Sequence, residues 1–344
     1  AVVCGILITV LGLIFLRPAA ILMGAEGQLL EDSVFYGKIV LLATPFYILQ
    51  YEFQCLFATA GKPQLGLYIT VASGVVNMIL DGVFVAAFSW GLFGAAAATA
   101  FSQFVGGVVP LIYFGRKNSS LLRLGRCKFD GRALIKTCAN GSSELMSNIS
   151  MSVVSMLYNI QLMKYAGENG VAAYGVLMYV SFIFQAIFIG YAVGGAPVIG
   201  YHYGAKHYEE LKNLRKKSMR LMGIMSVIMF LAGQVLARPL SLAFVSYDGE
   251  LLEMTVRGFA IFSFSFLLSG FAIFTSAFFT ALNDGLTSAL ISFLRTLVFQ
   301  SGAVILFPLI WGLDGIWLSV VAAEVLAAVV MVLFLAGKRK AYHY

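Results

Sequence analysis

The feature that most constrains this chain is a succession of long apolar runs. Each holds about 20 residues or more, enough for a helix to cross ~30 Å of hydrocarbon. Backbone N–H and C=O groups find no water inside a bilayer, so each run is expected to be an α-helix. With 60% hydrophobic and 11% charged residues among 344, the chain is predicted to be an all-α polytopic membrane protein. The ten predicted spans are 1–23, 34–60, 65–88, 92–114, 133–165, 171–201, 218–245, 251–282, 286–310 and 313–336.

The charged residues are distributed unevenly between alternate loops. Lys and Arg concentrate in segments 116–136 and 206–220 and in the tail 338–340, whereas most acidic loop residues lie in the other set of loops. By the positive-inside rule, the basic loops and the C-terminus are predicted to be cytoplasmic, in a protein that crosses the cytoplasmic (inner) cell membrane several times. The net charge of +7 is therefore interpreted as a topological signal, and no nucleic-acid partner is expected.

The chain also contains a tandem repeat, with an offset of 221 or 222 residues. Arg17-Pro18 recurs as Arg238-Pro239. The segment Trp90-Gly91-Leu92-Phe93-Gly94 recurs as Trp311-Gly312-Leu313-Asp314-Gly315. Repeats of this length in a membrane protein are typical of transporters that are built from two related bundles.

The two copies differ at their beginnings. The second copy starts with two predicted helices, 133–165 and 171–201, which have no counterpart before residue 1. We therefore expect twelve helices in the complete repeat, ten of them in this chain and two preceding it. Six helices per copy is an even number, so the two bundles are expected to share one orientation, related by an axis along the membrane normal. The predicted fold is thus two pseudo-symmetric helical bundles in a parallel repeat.

A carboxylate inside an apolar run is the clearest functional signal. Asp81 lies in the run 65–88, with Asn77 four residues before it and therefore on the same helix face. An ionised group in hydrocarbon costs at least a few kcal/mol. Thr99 lies at the same predicted depth in the next helix. We predict that Asn77, Asp81 and Thr99 bind one hard cation, or that Asp81 alone binds a proton.

The repeat provides a control for this prediction. At the positions that correspond to Asn77 and Asp81, the second copy has Val298 and Gly302 or, one residue later, Phe299 and Ala303. Helix packing alone therefore does not require the polar pair. The alternative is that Asp81 stays protonated, or bonds to a neighbouring helix and contributes only to packing.

Other polar residues also lie inside the predicted spans. Glu144, with Asn148 and Asn159 on the same helix, is a candidate second coupling or substrate site, or else the wall of a wet cavity. A second group is expected to form interhelical hydrogen bonds or ion pairs, with Glu324 as a candidate partner for Arg295. This group consists of Glu52, Gln103, Arg295 and Glu324.

The sequence lacks the patterns of an intramembrane enzyme or a metal centre. No HExxH or GxSxG set is present, so we expect no enzyme. The four cysteines have neither CxxC nor Cys/His spacing, so neither a disulfide framework nor a metal site other than one for Na+ is expected. No cofactor is expected beyond Na+ or H+ as the coupling ion.

Several motifs together resemble the multidrug and toxic compound extrusion (MATE) family. Segment 190–206 has a glycine-rich stretch, a proline and a Gly-Ala-Lys loop that resemble the family's helix 8, and segments 57–63, 77–81 and 307–318 resemble its helices 4, 5 and 11–12. The resemblance implies a two-lobed antiporter that exports cationic or amphipathic drugs or toxic compounds in exchange for Na+ or H+ by alternating access. It implies an N-lobe at 1–117 (helices 3–6), a cytoplasmic linker at 118–132 and a C-lobe at 133–344 (helices 7–12).

The resemblance also implies site residues. The family's N-lobe cation site falls on Asn77, Asp81 and Thr99, and its helix-1 acid has no counterpart in this sequence. The helix-7 acid of some branches falls on Glu144, whereas the helix-10 acid of others has no equivalent. Expected partners are small cationic or amphipathic molecules and the lipid bilayer, and the protein is expected to be a monomer.

Two other functions remain open. A flippase for lipid-linked saccharides or other lipids would share the two-lobed fold, but several basic residues would be expected in its cavity, whereas Arg295 is the single arginine predicted within the core of the spans. A membrane receptor without transport activity is also compatible with the composition, although a receptor does not need a tandem repeat of six helices.

Overall fold

The structure is a computed structural model that describes residues 1–22, 27–120, 122, 124–125, 130–246, 248–342 and 344, without the side chains of Leu22, Leu29 and Ser143. The described residues are almost entirely helical. They divide into two compact units, a first unit Ala1–Lys128 and a second unit Phe129–Tyr344. The prediction of an all-α polytopic fold is thereby confirmed.

The first unit consists of four long helices. The chain enters α3 through Gly61 (φ 73°), and Pro63 occupies the first helical position, where its missing N–H costs nothing. Another turn with positive φ, at Ser89 and Gly91, joins the end of this helix to α4. The helices are α1 (Val2–Leu22), α2 (Gly27–Thr59), α3 (Pro63–Asp81), which continues as a π-helix (Gly82–Ala87), and α4 (Gly91–Gly115).

The second unit contains longer and more interrupted helices. Asp130 and Asp248 cap α5 and α7, since each carboxylate accepts hydrogen bonds from two backbone N–H groups of the first turn. The elements are α5 (Gly131–Gly204), α6 (Tyr208–Val245), α7 (Gly249–Phe262), a short 3₁₀ turn (Ser263–Ser265), α8 (Phe266–Ala281), α9 (Gly285–Phe293), a π-helix (Leu294–Gln300), α10 (Ser301–Leu306) and α11 (Pro308–Tyr342).

Nine helices among the described residues are long and apolar enough to cross a membrane. One of them is α5, whose 74 residues would extend ~110 Å as a straight helix. It is broken at Gly167, where φ is 61° and ψ is −151°, between the two predicted spans 133–165 and 171–201. Division at this break gives ten spans, as predicted.

The repeat is visible in the backbone conformation of the turns. Gly91 (φ 53°) and Gly312 (φ 56°) correspond in the two copies, and so do Gly61 (φ 73°) and Asn283 (φ 62°). Glycine and asparagine tolerate the left-handed region better than other residues. Each copy therefore uses the same two left-handed turns at equivalent places in its chain.

Close helix contacts in the first unit depend on small residues. A Cβ added at Gly107 of α4 would lie 2.5 Å from the carbonyl oxygen of Phe46 in α2. Between the same two helices, the Phe114 ring of α4 stacks on Phe53 and is tilted against Phe57 of α2, with ring centroids 5.5 and 4.8 Å apart. Small residues at crossings and aromatic packing are typical of helices that associate in lipid.

Candidate functional site

Asp81 lies where the first unit changes its helical geometry. It is the last residue of α3, and the π-helix Gly82–Ala87 begins directly after it. Its side chain is partly exposed, and among the described residues no hydrogen bond or ion pair to its carboxylate is found. Single π-helical turns occur frequently at functional sites.

Contacts between α3 and α4 show which residues lie opposite each other. The two helices are antiparallel, and the Ser73 hydroxyl donates to the carbonyl oxygen of Ser102 at 2.7 Å. Asn77 then lies ~6 Å beyond Ser73 along α3, and Thr99 lies ~4.5 Å beyond Ser102 along α4 in the same direction. Asn77 and Thr99 are therefore level with each other.

Asp81 lies one helical turn farther from Ser73 than Asn77 does, ~12 Å beyond Ser73 along α3. Equal residue counts to the ends of their helices predict equal depth for Asp81 and Thr99, and the structure differs from this prediction. A π-helix holds more residues per turn than an α-helix, so the segment Gly82–Ala87 advances less than an equal number of α-helical residues. Asp81 therefore lies closer to the connecting turn than Thr99, and the π-helix contributes to this offset.

Two polar atoms of the candidate site residues on α3 and α4 are buried and have no hydrogen-bond partner among the described residues. They are Nδ2 of Asn77 and Oε1 of Gln103. Nearby hydroxyls are already used, since Ser102 donates to the carbonyl oxygen of Thr99 at 2.8 Å and the Gln50 amide lies 3.5 Å from Ser73 Oγ. An unpaired buried polar group costs free energy, so each of these two atoms is expected to pair with a water.

In the second unit, an ion pair lies at the repeat counterpart of the Gln103 position. Arg295 lies in the π-helix Leu294–Gln300, and its Nε and Nη2 donate to Glu324 of α11 at 2.9 and 2.6 Å. Glu324 is the repeat counterpart of Gln103. The side chains are 19% and 6% exposed, so both charges are neutralised inside the unit.

The structure separates Asn159 from Glu144 and Asn148 along α5, so the three candidate residues do not converge on one point. All three residues are exposed and lie on the continuous part of α5 before Gly167. The Asn148 amide donates to the backbone carbonyl of Glu144 at 2.8 Å, not to its carboxylate. Asn159 lies ~22 Å from Glu144 along the helix axis, too far for both to contact one small ligand.

For Glu52 and Gln103, two residues of the group that is expected to be structural, the structure shows the following surroundings. Glu52 is exposed on α2, and no interhelical hydrogen bond to it is found in the described part of the chain. Gln103 is partly exposed but leaves its Oε1 buried and unpaired. The apolar runs of the sequence predict that both residues lie within membrane spans, but they do not indicate what the two side chains contact.

Comparison with known proteins identifies the family. A model of the MatE family matches residues 1–83 and 145–305, which is more than half of the chain. The chain belongs to the MatE family. This membership confirms the resemblance seen in the sequence, and it makes the chain a multi-pass membrane transporter rather than an enzyme.

Relatives with curated names cover most of this MatE chain. The multidrug export protein MepA of Staphylococcus saprophyticus subsp. saprophyticus is 25% identical over 336 residues, which are 96% of this chain and 73% of the relative. The MepA protein of Staphylococcus haemolyticus is 24% identical over 329 residues, which are 95% of this chain and 72% of the relative.

Solved structures share the fold. A MATE protein crystallised in complex with MaL6 has a TM-score of 0.94 at 22% identity, over 99% of this chain and 77% of that one. A MOP superfamily transporter from Pyrococcus furiosus has a TM-score of 0.93 at 22% identity, over 100% of this chain and 77% of that one. At this identity, the likeness shows the architecture alone.

The interior of the MatE second unit also contains contacts that the sequence did not predict. The hydroxyl of Tyr158 lies 2.6 Å from Ser319 Oγ, and its ring stacks on Tyr174 with centroids 4.8 Å apart. Both tyrosines are buried. No spacing rule identifies such partners, because Tyr158 and Ser319 lie on helices that are far apart in the sequence.

Proposed function

We propose that this MatE protein is a secondary active antiporter that exports cationic or amphipathic drugs or toxic compounds in exchange for Na+ or H+. In this proposal it works by alternating access in the cell membrane, with the basic loops and the C-terminus in the cytoplasm. The names of its MepA relatives, which describe multidrug export, support this substrate class.

The observation that carries the proposal is the carboxylate of Asp81, which has no hydrogen bond or ion pair to any described residue. It lies one turn from Asn77 and Thr99, on a span of a membrane transporter and next to a π-helix. A carboxylate inside a membrane protein is costly unless it binds something. A cation or a proton that neutralises Asp81 would change the relative free energies of two conformations, and this change is what coupling requires.

The oxygens at this place suit either ion. Asp81 provides a carboxylate, Asn77 an amide oxygen and Thr99 a hydroxyl, which are the hard oxygen ligands that alkali and alkaline-earth cations prefer. A proton would need Asp81 alone. Rotation of the Asn77 amide exchanges its oxygen and its nitrogen, so this buried position suits either an ion ligand or a hydrogen-bond donor to water.

A lipid flippase is the competing proposal, and the surroundings of Arg295 do not favour it. A flippase for lipid-linked saccharides needs free positive charge in its cavity to attract phosphate. Arg295 is instead held by Glu324 in a buried bidentate ion pair. The ion pair as a whole is neutral, so it does not attract a lipid phosphate.

The proposal is tested by transport in vesicles. Purified protein is reconstituted, and uptake of a fluorescent organic cation is driven by imposed Na+ or pH gradients in separate experiments. With Asp81→Asn, we expect gradient-driven transport to fall to the level of empty vesicles, because the amide cannot bind a proton and binds a cation weakly. The matched control is Asp130→Asn, since Asp130 caps α5 and asparagine caps helices equally well.

The transport rates of the two variants decide whether Asp81 is required for coupling. The control should transport like the wild type under whichever gradient is effective. If Asp81→Asn transports as fast as the wild type under both gradients, Asp81 does not couple ion and drug, and the proposal fails.

A further inference from the structure

The first turns of α6 carry more basic side chains than the second unit pairs. Two of them have described partners, since Lys212 Nζ lies 3.8 Å from Glu209 and the Arg215 guanidinium lies 5.1 Å from the centre of the Tyr344 ring. Three others are exposed, and no hydrogen bond or ion pair to them is found among the described residues. We call these three residues the basic cluster: Lys216, Lys217 and Arg220.

The basic cluster lies on the side of α6 that faces away from the core of the second unit. Successive residues of an α-helix are ~100° apart about its axis, so the three side chains share one sector of ~100°. The most exposed apolar residues between 221 and 235 fall in this sector or within ~20° of it, and we call them the apolar stripe: Ile224, Val227, Ile228, Leu231 and Val235. The opposite side of α6 is buried and consists of Ser218, Met222, Ser226, Met229 and Gly233.

The length of α6 places the basic cluster at the membrane surface. Its 38 residues extend ~57 Å, whereas the hydrocarbon core of a bilayer is ~30 Å thick. Segment 221–237 contains no charged residue, so the hydrocarbon begins directly after Arg220. From there back to Lys216 the helix rises ~6 Å, which is about the thickness of one headgroup layer, ~5–8 Å.

The acidic residues of the same segment leave the basic cluster available. Glu209 and Glu210 precede Lys216 by ~9 Å or more along the helix axis, on the side of the water. This distance is about one Debye length at physiological salt, ~8 Å, so their effect on the cluster is screened. The positive-inside rule requires basic residues only on one side of the membrane, and it does not require three of them on the outward side of one helix.

We propose that the basic cluster binds the headgroup of an anionic phospholipid whose acyl chains lie along the apolar stripe. The phosphate oxygens accept charge-assisted hydrogen bonds from the two ammonium groups and from the guanidinium of Arg220. Charge complementarity identifies this occupant, because a zwitterionic lipid brings a positive group of its own to three cations. In the proposed topology, the lipid belongs to the cytoplasmic leaflet, where anionic lipids attract basic segments next to a membrane span.

The occupant covers both parts of this surface at once. A soluble acidic partner contacts the basic cluster but does not enter the hydrocarbon, where the apolar stripe begins one turn beyond Arg220 at Ile224. A phospholipid has its charge and its chains in the same order along the membrane normal as the two groups of residues on α6. Binding therefore needs both the phosphate and the chains.

The test measures lipid binding to the purified protein in detergent. The protein is titrated with dioleoyl phosphatidylglycerol, or with dioleoyl phosphatidylcholine, which has the same chains and no net charge. Native mass spectrometry counts the bound lipids, and the melting temperature reports their stabilising effect. We expect the first phosphatidylglycerol to bind about tenfold or more tightly than phosphatidylcholine, with a preference that decreases at high salt.

Two triple variants separate the charge of the cluster from the integrity of the helix. Lys216→Gln/Lys217→Gln/Arg220→Gln removes the three charges, and we expect the affinity for the first phosphatidylglycerol to fall about tenfold or more. Lys216→Arg/Lys217→Arg/Arg220→Lys keeps the three charges and should keep the wild-type affinity. The matched control removes the same net charge from three exposed ion pairs and should also keep it: Arg17→Gln/Arg238→Gln/Arg257→Gln.

Three results would overturn the lipid proposal. The first is wild-type affinity for phosphatidylglycerol in the variant without the three charges. The second is an equal loss of affinity in the matched control, because net charge and not the basic cluster would then attract the lipid. The third is an increase in melting temperature with glycerol 3-phosphate that equals the increase with the lipid, because the surface would then bind a soluble anion without acyl chains.

The lipid proposal and the proposed function fail separately. The lipid titration involves no transport and requires neither Asp81 nor a coupling ion. A negative lipid result therefore leaves the antiporter proposal standing. Loss of the Asp81 requirement in the transport assay would overturn the antiporter proposal and leave the lipid proposal unchanged.

Discussion

Arg295 and Glu324 form a buried ion pair with bidentate geometry. Nε of Arg295 lies 2.9 and 3.1 Å from the two carboxylate oxygens, and Nη2 lies 2.6 Å from Oε1. Removal of one partner from such a pair leaves an uncompensated buried charge, whereas apolar replacement of both partners is often nearly neutral. The pair therefore positions the π-helix Leu294–Gln300 against α11 more than it adds net stability.

We predict strong non-additivity for this pair. Arg295→Met and Glu324→Leu should each lower the stability of the protein by about 3–5 kcal/mol, and the double variant should lose much less than the sum. Thermal melting of the four proteins in one detergent completes the double-mutant cycle. The exposed pair Arg17–Glu31, at 2.7 Å and 57% exposure on both sides, is the matched control and should show a coupling of about 1 kcal/mol or less.

Additive losses for Arg295 and Glu324 would contradict this account of the pair. They would show that the two charges are solvated independently and that their observed contact is energetically unimportant.

Among the helices, α9 and α11 are tied together by one carboxylate. Asp284 caps α9 by accepting from the backbone N–H and hydroxyl of Thr287 at 3.2 and 2.7 Å. It also accepts from Tyr342 of α11 at 2.8 Å and lies 3.3 Å from the Lys338 ammonium. Burial raises the pKa of Asp284, but the bonds from Thr287, Tyr342 and Lys338 outweigh burial, so its pKa lies below the ordinary value.

The depressed pKa predicts when this connection is lost. A carboxyl whose folded-state pKa is lowered adds stability above its unfolded-state pKa, and this stability disappears as the pH falls through the folded-state value. The end of α11 should therefore stay anchored from pH 7 down to the ordinary aspartate pKa of about 3.9 and become mobile below it. A spin label at residue 340, in a background without other cysteines, reports this mobility.

Asp284→Asn provides the comparison, because asparagine keeps the helix cap but loses the charge that attracts Lys338. At pH 7 this variant should show the mobility that the wild type reaches only in acid. Asp314→Asn, at an exposed ion pair with Arg257, should leave the label unchanged. Release of the label in the wild type between pH 7 and pH 5 would contradict the assignment to Asp284.

For the molecule as a whole, the sequence predicted the features that depend on local composition. The ten spans, the break between 165 and 171 and the repeat all follow from apolar runs and glycine-containing turns, which are properties of neighbouring residues. Gly167 and the corresponding pair Gly91 and Gly312 have positive φ at those places. The family could also be identified from short motifs.

The remaining features depend on contacts between distant residues, and local patterns do not reveal them. A π-helix contributes to the offset of Asp81 from Thr99, and no residue pattern predicted that π-helix. The unpaired oxygen of Gln103 depends on which helix covers it. The separation of Glu144 from Asn159 follows from the continuity of one helix, and residue type alone did not indicate it.

The central claim, that one carboxylate in the first unit couples ion movement to drug movement, is tested most directly by reversal of the driving force. A gradient of a fluorescent organic cation is imposed across vesicles that contain the protein, and trapped dyes report internal Na+ and pH. In the wild type, the drug gradient should drive Na+ or H+ in the opposite direction. In Asp81→Asn vesicles this flux should be absent. Equal drug-driven ion flux with and without the carboxylate would contradict the account.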